Sequence, residues 1–119
     1  MSNTRVGIDL TALPATVLRY LDAHRDNDPD TAITAFVADA VVVDDGKTYT
    51  GIAAIREWLG RSASEYTYTI ALTAAAKFDD TNFEAVNHLE GNFPGGTVDL
   101  RYRFTLDDDR RISRLVIAP

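Results

Sequence analysis

The sequence predicts an α+β domain. A curved, mixed to antiparallel sheet wraps as a cone around three N-terminal helices and leaves an internal pocket. Three observations lead there. Apolar residues at helical spacing are confined to the first half of the chain. Strict apolar–polar alternation fills the second half, and such segregation marks α+β architecture. The length of 119 residues leaves room for one domain.

The elements follow in order. Residues 1–10 carry no pattern, and residues 1–12 are expected to form a flexible arm before a single domain over 13–119. Pro14 suits a first helical turn, and Val17, Leu18 and Leu21 follow at helical spacing to an end near Asn27. Asp28-Pro29 restarts a second helix as N-cap and first residue, with Ile33, Phe36 and Val37 as its apolar face. Val41-Val42-Val43-Asp44 is β-branched and short, hence a strand. Asp45-Gly46 suits a two-residue hairpin turn of type I′, and Lys47–Thr50 returns. Gly51 opens a third helix over 52–61 that buries Ile55, Trp58 and Leu59.

Four long strands complete the chain. The first runs from Tyr66 to Phe78 with Tyr68, Ile70, Leu72, Ala74 and Ala76 on one face, and Asp79-Asp80 turns it. The second covers 82–93 and ends at the Pro94-Gly95-Gly96 turn. In the third, Val98, Leu100, Tyr102, Phe104 and Leu106 alternate with Asp99, Arg101, Arg103 and Thr105. After Asp107–Asp109 a last strand over 111–117 closes the sheet. A cone of this kind predicts a mostly apolar pocket with a few placed polar groups.

Composition removes several function classes. There is no Cys, so disulfides, thiol nucleophiles and Cys-zinc sites are excluded. The net charge of −6 argues against a nucleic-acid partner, which needs a basic stripe. Fourteen of the 18 acids are Asp, clustered between elements, where a short carboxylate bonds turn amides. No apolar run is long enough to cross a membrane, and the first residues lack the apolar segment of a signal peptide. A cytoplasmic protein without membrane contact is expected. Two distant His residues without partners at fixed spacing leave a metal site unexpected.

The order of elements, with Val17-Leu18-Arg19-Tyr20, the run from Phe36 to Asp44, and Thr50-Gly51-Ile52-Ala53-Ala54-Ile55-Arg56-Glu57-Trp58, resembles the nuclear-transport-factor-2-like superfamily. Within it the likeness is to SnoaL-like and ketosteroid-isomerase-like proteins, and it covers the chain from Leu13 onward. The resemblance implies a pocket for a small hydrophobic ligand, cofactor-free acid–base chemistry and a homodimer through the outer face of the sheet. It places Asp44 where isomerases keep their proton-shuttling base, Tyr20 where they keep an oxyanion donor, and Trp58 where an aromatic lines the pocket. The second isomerase donor falls at Leu100, which cannot donate.

Each residue has a plainer reading. Asp44 could bond turn amides, Tyr20 could be a core phenol, and Trp58 could be core. Proton abstraction beside a carbonyl needs a base and a donor at the developing enolate, and a carboxylate becomes a stronger base in an apolar pocket. Phe36, Asn87, Leu100 and Tyr102 are the further pocket candidates; Asn87 shares parity with Phe83, Ala85 and Leu89. His88 on the opposite parity is expected to face outward, and His24 to be a boundary residue. Asp99 and Arg101 share a strand face, as in epoxide hydrolases of the superfamily, but oppose the apolar parity. Three readings stay open: an isomerase- or cyclase-type enzyme, a non-catalytic binding or dimerisation module, and water activation by Asp99 and Arg101.

Overall fold

Strand pairing gives the chain its form. The computed structural model describes residues 5–65 and 68–119, and the expectations for residues 1–4, Tyr66 and Thr67 lie outside them. The described strands are β1 (Val6–Ile8), β2 (Phe36–Asp44), β3 (Lys47–Thr50), β4 (Tyr68–Lys77), β5 (Asn82–Gly91), β6 (Thr97–Leu106) and β7 (Ile112–Ala118). They form one sheet in the order β1-β4-β5-β6-β7-β2-β3. All neighbours are antiparallel except β2 and β7, which run parallel. The helices are α1 (Ala15–Arg25), α2 (Pro29–Ile33) and α3 (Ile52–Glu65). The sheet is curled and not closed. Register shifts in β2, in β4 and between β6 and β7 accompany the curl, since a bulge bends its strand and increases the local twist. Among the described residues no helix is long and apolar enough to cross a membrane.

Local chemistry sets the boundaries. The Asp28 carboxylate accepts from the Thr31 backbone N–H at 3.2 Å, capping α2 with Pro29 in its first turn. Asp45 and Gly46 have φ of 53° and 75°, the paired positive values of a type I′ turn. β6 alternates as expected, with Tyr102, Phe104 and Leu106 buried and Asp99, Arg101 and Arg103 exposed.

One expectation is corrected. Phe36 and Val37 belong to β2 rather than to the second helix, which stops at Ile33. Ile33 and Phe36 are three apart, which imitates a helical face, but Phe36 pairs with Ile112 of β7 and so starts the strand. Within the segment expected as an arm, two short stretches take regular structure. Val6–Ile8 pairs with Ala75–Lys77, and Leu10–Ala12 makes a 3₁₀ turn. Three residues are too few to show a period, and edge pairing supplies what the pattern does not.

The core lies between α1, α3 and the inner face of the sheet. Tyr20 of α1 is fully buried, with its ring edge-on to Phe36 at 5.4 Å and to Phe104 at 5.7 Å between centroids. Val17, Val42, Ile55, Ile112 and Leu115 complete this packing. The opposite end of the sheet, between the start of β6 and the ends of β2 and β7, is not filled.

Candidate functional site

The unfilled end holds a cavity of about 460 Å³. Inward residues of the sheet reach it: Leu89 from β5, Val98, Leu100 and Tyr102 from β6, and Ile117 from β7. Asp44 enters from the end of β2, Trp58 from α3, Tyr68 from β4 and His24 from the last turn of α1. Exposed Asp45 and Pro94, with half-buried Phe93, stand on the wall where the two hairpin turns meet.

Asp44 sits at the strand end because the Asp45-Gly46 turn follows it directly. Its Oδ2 accepts from Trp58 Nε1–H at 3.0 Å. Trp58 is 3% exposed, so the indole fixes the carboxylate against a rigid wall. Two strands away on the sheet, where Ile117 stands between it and Asp44, Tyr102 has its hydroxyl 3.2 Å from His24 Nε2. Burial lowers the His24 pKa to about 4, so the imidazole is neutral near pH 7. Burial first, then the neighbouring Tyr68 and Asp44, raises the Tyr102 pKa, while Asn87 opposes the rise. Burial and Asp44 raise the Tyr68 pKa as well. Both phenols therefore keep their protons and can donate. The site pairs one carboxylate with hydroxyl donors beside apolar side chains, which is the minimum for moving a proton beside a carbonyl. Among the described residues no group of three or more His, Cys, Asp or Glu is placed to hold a metal ion.

The structure brings together Asp44, Trp58, Leu100 and Tyr102 of the expected set. The other three stand apart from the cavity. The Tyr20 hydroxyl is buried in the core with no partner among the described residues, and its ring stacks on His24 at 5.7 Å. Phe36 packs on Tyr20 behind the cavity. Asn87 is 3% exposed and lines a separate recess of about 40 Å³ between α1 and the sheet, with Leu18, Leu21 and Leu72. Asp99 and Arg101 are exposed on the outer face, where Asp99 Oδ1 lies 2.7 Å from His88 Nδ1. The reading that gave them an inward water-activating role is corrected by this placement.

Sequence reasoning missed His24 and Tyr68. His24 lies four residues after Tyr20, one turn on along the same helix face, and Tyr68 shares the inward parity of β4. Leu89, Val98 and Ile117 were open to the same parity argument. Phe93 and Pro94 belong to a turn, which has no period to read.

A structure from Sinorhizobium meliloti described as a "putative polyketide cyclase" superposes with a TM-score of 0.84 at 33% identity, covering 93% of this chain and 100% of that one. The chain belongs to the family of that polyketide-cyclase-like protein, and its fold is the nuclear-transport-factor-2-like fold that ketosteroid-isomerase-like structures share. The epoxide hydrolase/cyclase-like enzyme SalBIII of salinomycin pyran-ring formation shares the fold, with a TM-score of 0.72, 21% identity and coverage of 86% and 85%. So does Rv0760c of Mycobacterium tuberculosis in complex with estradiol-17β-hemisuccinate, with a TM-score of 0.72, 12% identity and coverage of 87% and 90%. No protein-family model and no curated protein matches the sequence.

Proposed function

We propose that the cavity binds a small hydrophobic carbonyl compound and that Asp44 moves a proton next to the carbonyl. The observation that carries the reading is that two polar pairs, Asp44–Trp58 and Tyr102–His24, line one cavity together with apolar side chains. The Asp44 carboxylate takes the α-proton, and the C–H electrons form the enolate. The enolate oxygen accepts a hydrogen bond from the Tyr102 hydroxyl. With the imidazole proton on Nε2, His24 donates to the Tyr102 oxygen and leaves the phenol proton for the ligand. Asp44 then returns its proton to the γ-carbon for isomerisation; for cyclisation, the enolate carbon attacks a second carbonyl, whose π electrons move to oxygen, and Asp44 gives its proton to that new alkoxide. Neither route needs a cofactor.

This reading moves the donor role from Tyr20 to Tyr102, because Tyr20 is fully buried and does not line the cavity. It draws support from the polyketide cyclase description of the S. meliloti relative and from the steroid ester held by Rv0760c. A homodimer through the outer sheet face belongs to the same proposal, with exposed Thr69, Thr73, Arg101 and Arg103 on that face, and sedimentation at micromolar concentration tests it.

The test is proton transfer on β,γ-unsaturated ketones, steroidal and smaller, followed by ultraviolet absorbance of the conjugated product. Wild-type turnover that disappears in Asp44→Asn supports the base. Absence of turnover in the wild type removes the isomerase reading and leaves the binding module.

A further inference from the structure

The cavity wall is electrically one-sided. Asp44 and Asp45 line it, and among the described residues that do there is no Lys or Arg. The same wall carries an unusual share of the chain's π-systems. Its single Trp, Trp58, is joined by Tyr68, Phe93 and Tyr102. The His24 imidazole is neutral near pH 7 and adds no positive charge. A cation over an aromatic face gains about 0.5–2 kcal/mol per ring, most where water is excluded. A carboxylate in the same shell adds a Coulomb attraction that low dielectric strengthens. An anionic ligand would meet two carboxylates, with no cation among the described lining residues to offset its desolvation.

From this composition we propose that the preferred ligand carries an organic ammonium group on an apolar body, with the charge seated between Asp44 and the aromatic side chains Trp58, Tyr68 and Tyr102. The apolar body lies along Leu89, Leu100 and Ile117. The inference deepens the ligand-site reading of the cavity and does not depend on proton transfer. An amine that binds without turnover supports it even where the catalytic reading fails. Turnover of a neutral ketone without cation preference does the opposite.

The test compares benzyltrimethylammonium with its carbon isostere neopentylbenzene and with the phenylacetate anion, at constant ionic strength. Trp58 fluorescence reads the site directly, because Trp58 is the chain's single Trp. The expected order is cation, then neutral isostere, then anion, with at least about a tenfold gap between the first two, equivalent to 1.4 kcal/mol. Asp44→Asn should collapse that gap. Asp109→Asn, in the turn at the other end of β6, should preserve it. Equal or tighter binding of neopentylbenzene by the wild type overturns the proposal, as does no fluorescence response to the cation at millimolar concentration. If Asp44→Asn fails to fold, the wild-type order decides alone.

Discussion

The two ends of strand β6 carry the same alternation and opposite fates. At one end Phe104 and Leu106 are 0% and 3% exposed, and Phe104 packs against Tyr20 of α1. At the other, Val98 and Leu100 face the same way and remain half-buried on the wall of a cavity. Parity decides which side of a sheet a residue faces. What lies opposite decides whether that residue becomes core or pocket. At the filled end α1 delivers Val17, Leu21 and the whole Tyr20 side chain. At the open end the same helix offers only His24 from its last turn, and α3 offers Trp58, so space is left between them.

Substitutions at the two ends should separate activity from stability. The largest effect is expected at Asp44. Asp44→Asn should lower turnover of a β,γ-unsaturated ketone about 10²–10⁴-fold, the usual worth of a general base, while the melting temperature changes little. Phe104→Ala at the filled end should do the reverse. It should destabilise the fold by about 3–5 kcal/mol in a denaturant titration. At a temperature where the variant stays folded, turnover should be retained.

The two phenols sharpen the contrast. Tyr102→Phe should cost about 2.7–4 kcal/mol of barrier, the worth of one oxyanion donor, seen as a fall in kcat. Tyr20→Phe removes a hydroxyl that has no partner among the described residues. It should leave kcat unchanged and stability equal or up to about 1 kcal/mol higher. The reverse pattern would return the donor role to Tyr20.

The two histidines give a pH signature. Burial lowers the pKa of His24 to about 4, against 6.5 for an ordinary imidazole. As pH falls from 6.5 towards 4, the unfolded chain takes a proton that the folded one refuses. Stability is therefore lost over that window, at no more than about 1.4 kcal/mol per pH unit. His24→Gln should flatten this part of a melting-temperature profile. On the outer face the hydrogen bond to Asp99 raises the pKa of His88, with a further contribution from Glu90. Its contribution is present below pH 6.5 and fades as pH rises through the raised value. His88→Gln should therefore flatten the profile on the neutral side instead. Smallest of all, Leu100→Phe should weaken ligand binding about tenfold or more by filling the cavity, with a stability change within about 1.5 kcal/mol.

Much of the fold was legible because strands with one buried face announce themselves. The alternation of β6, the Asp45-Gly46 turn and the Asp28-Pro29 start all depend on neighbours in sequence. Phe36 and β1 were not legible, since both are strands through long-range pairing, with Ile112 and with Ala75–Lys77. In the site, Asp44, Trp58, Leu100 and Tyr102 could be named from position and resemblance. The Tyr102–His24 pair could not, because it joins residues from α1 and β6 that only the curl of the sheet brings within 3.2 Å.

The central claim is that the open end receives a ligand beside Asp44. One signal reports on it directly. The single Trp gives one indole N–H resonance, and that N–H bonds Asp44 at 3.0 Å. Nuclear magnetic resonance should follow this peak while a hydrophobic enone is added. A saturable shift of the Trp58 indole, with Leu100 and Tyr102 amides moving and the His88–Asp99 face still, is the predicted result. An indole peak that stays fixed while the outer face responds would contradict the account.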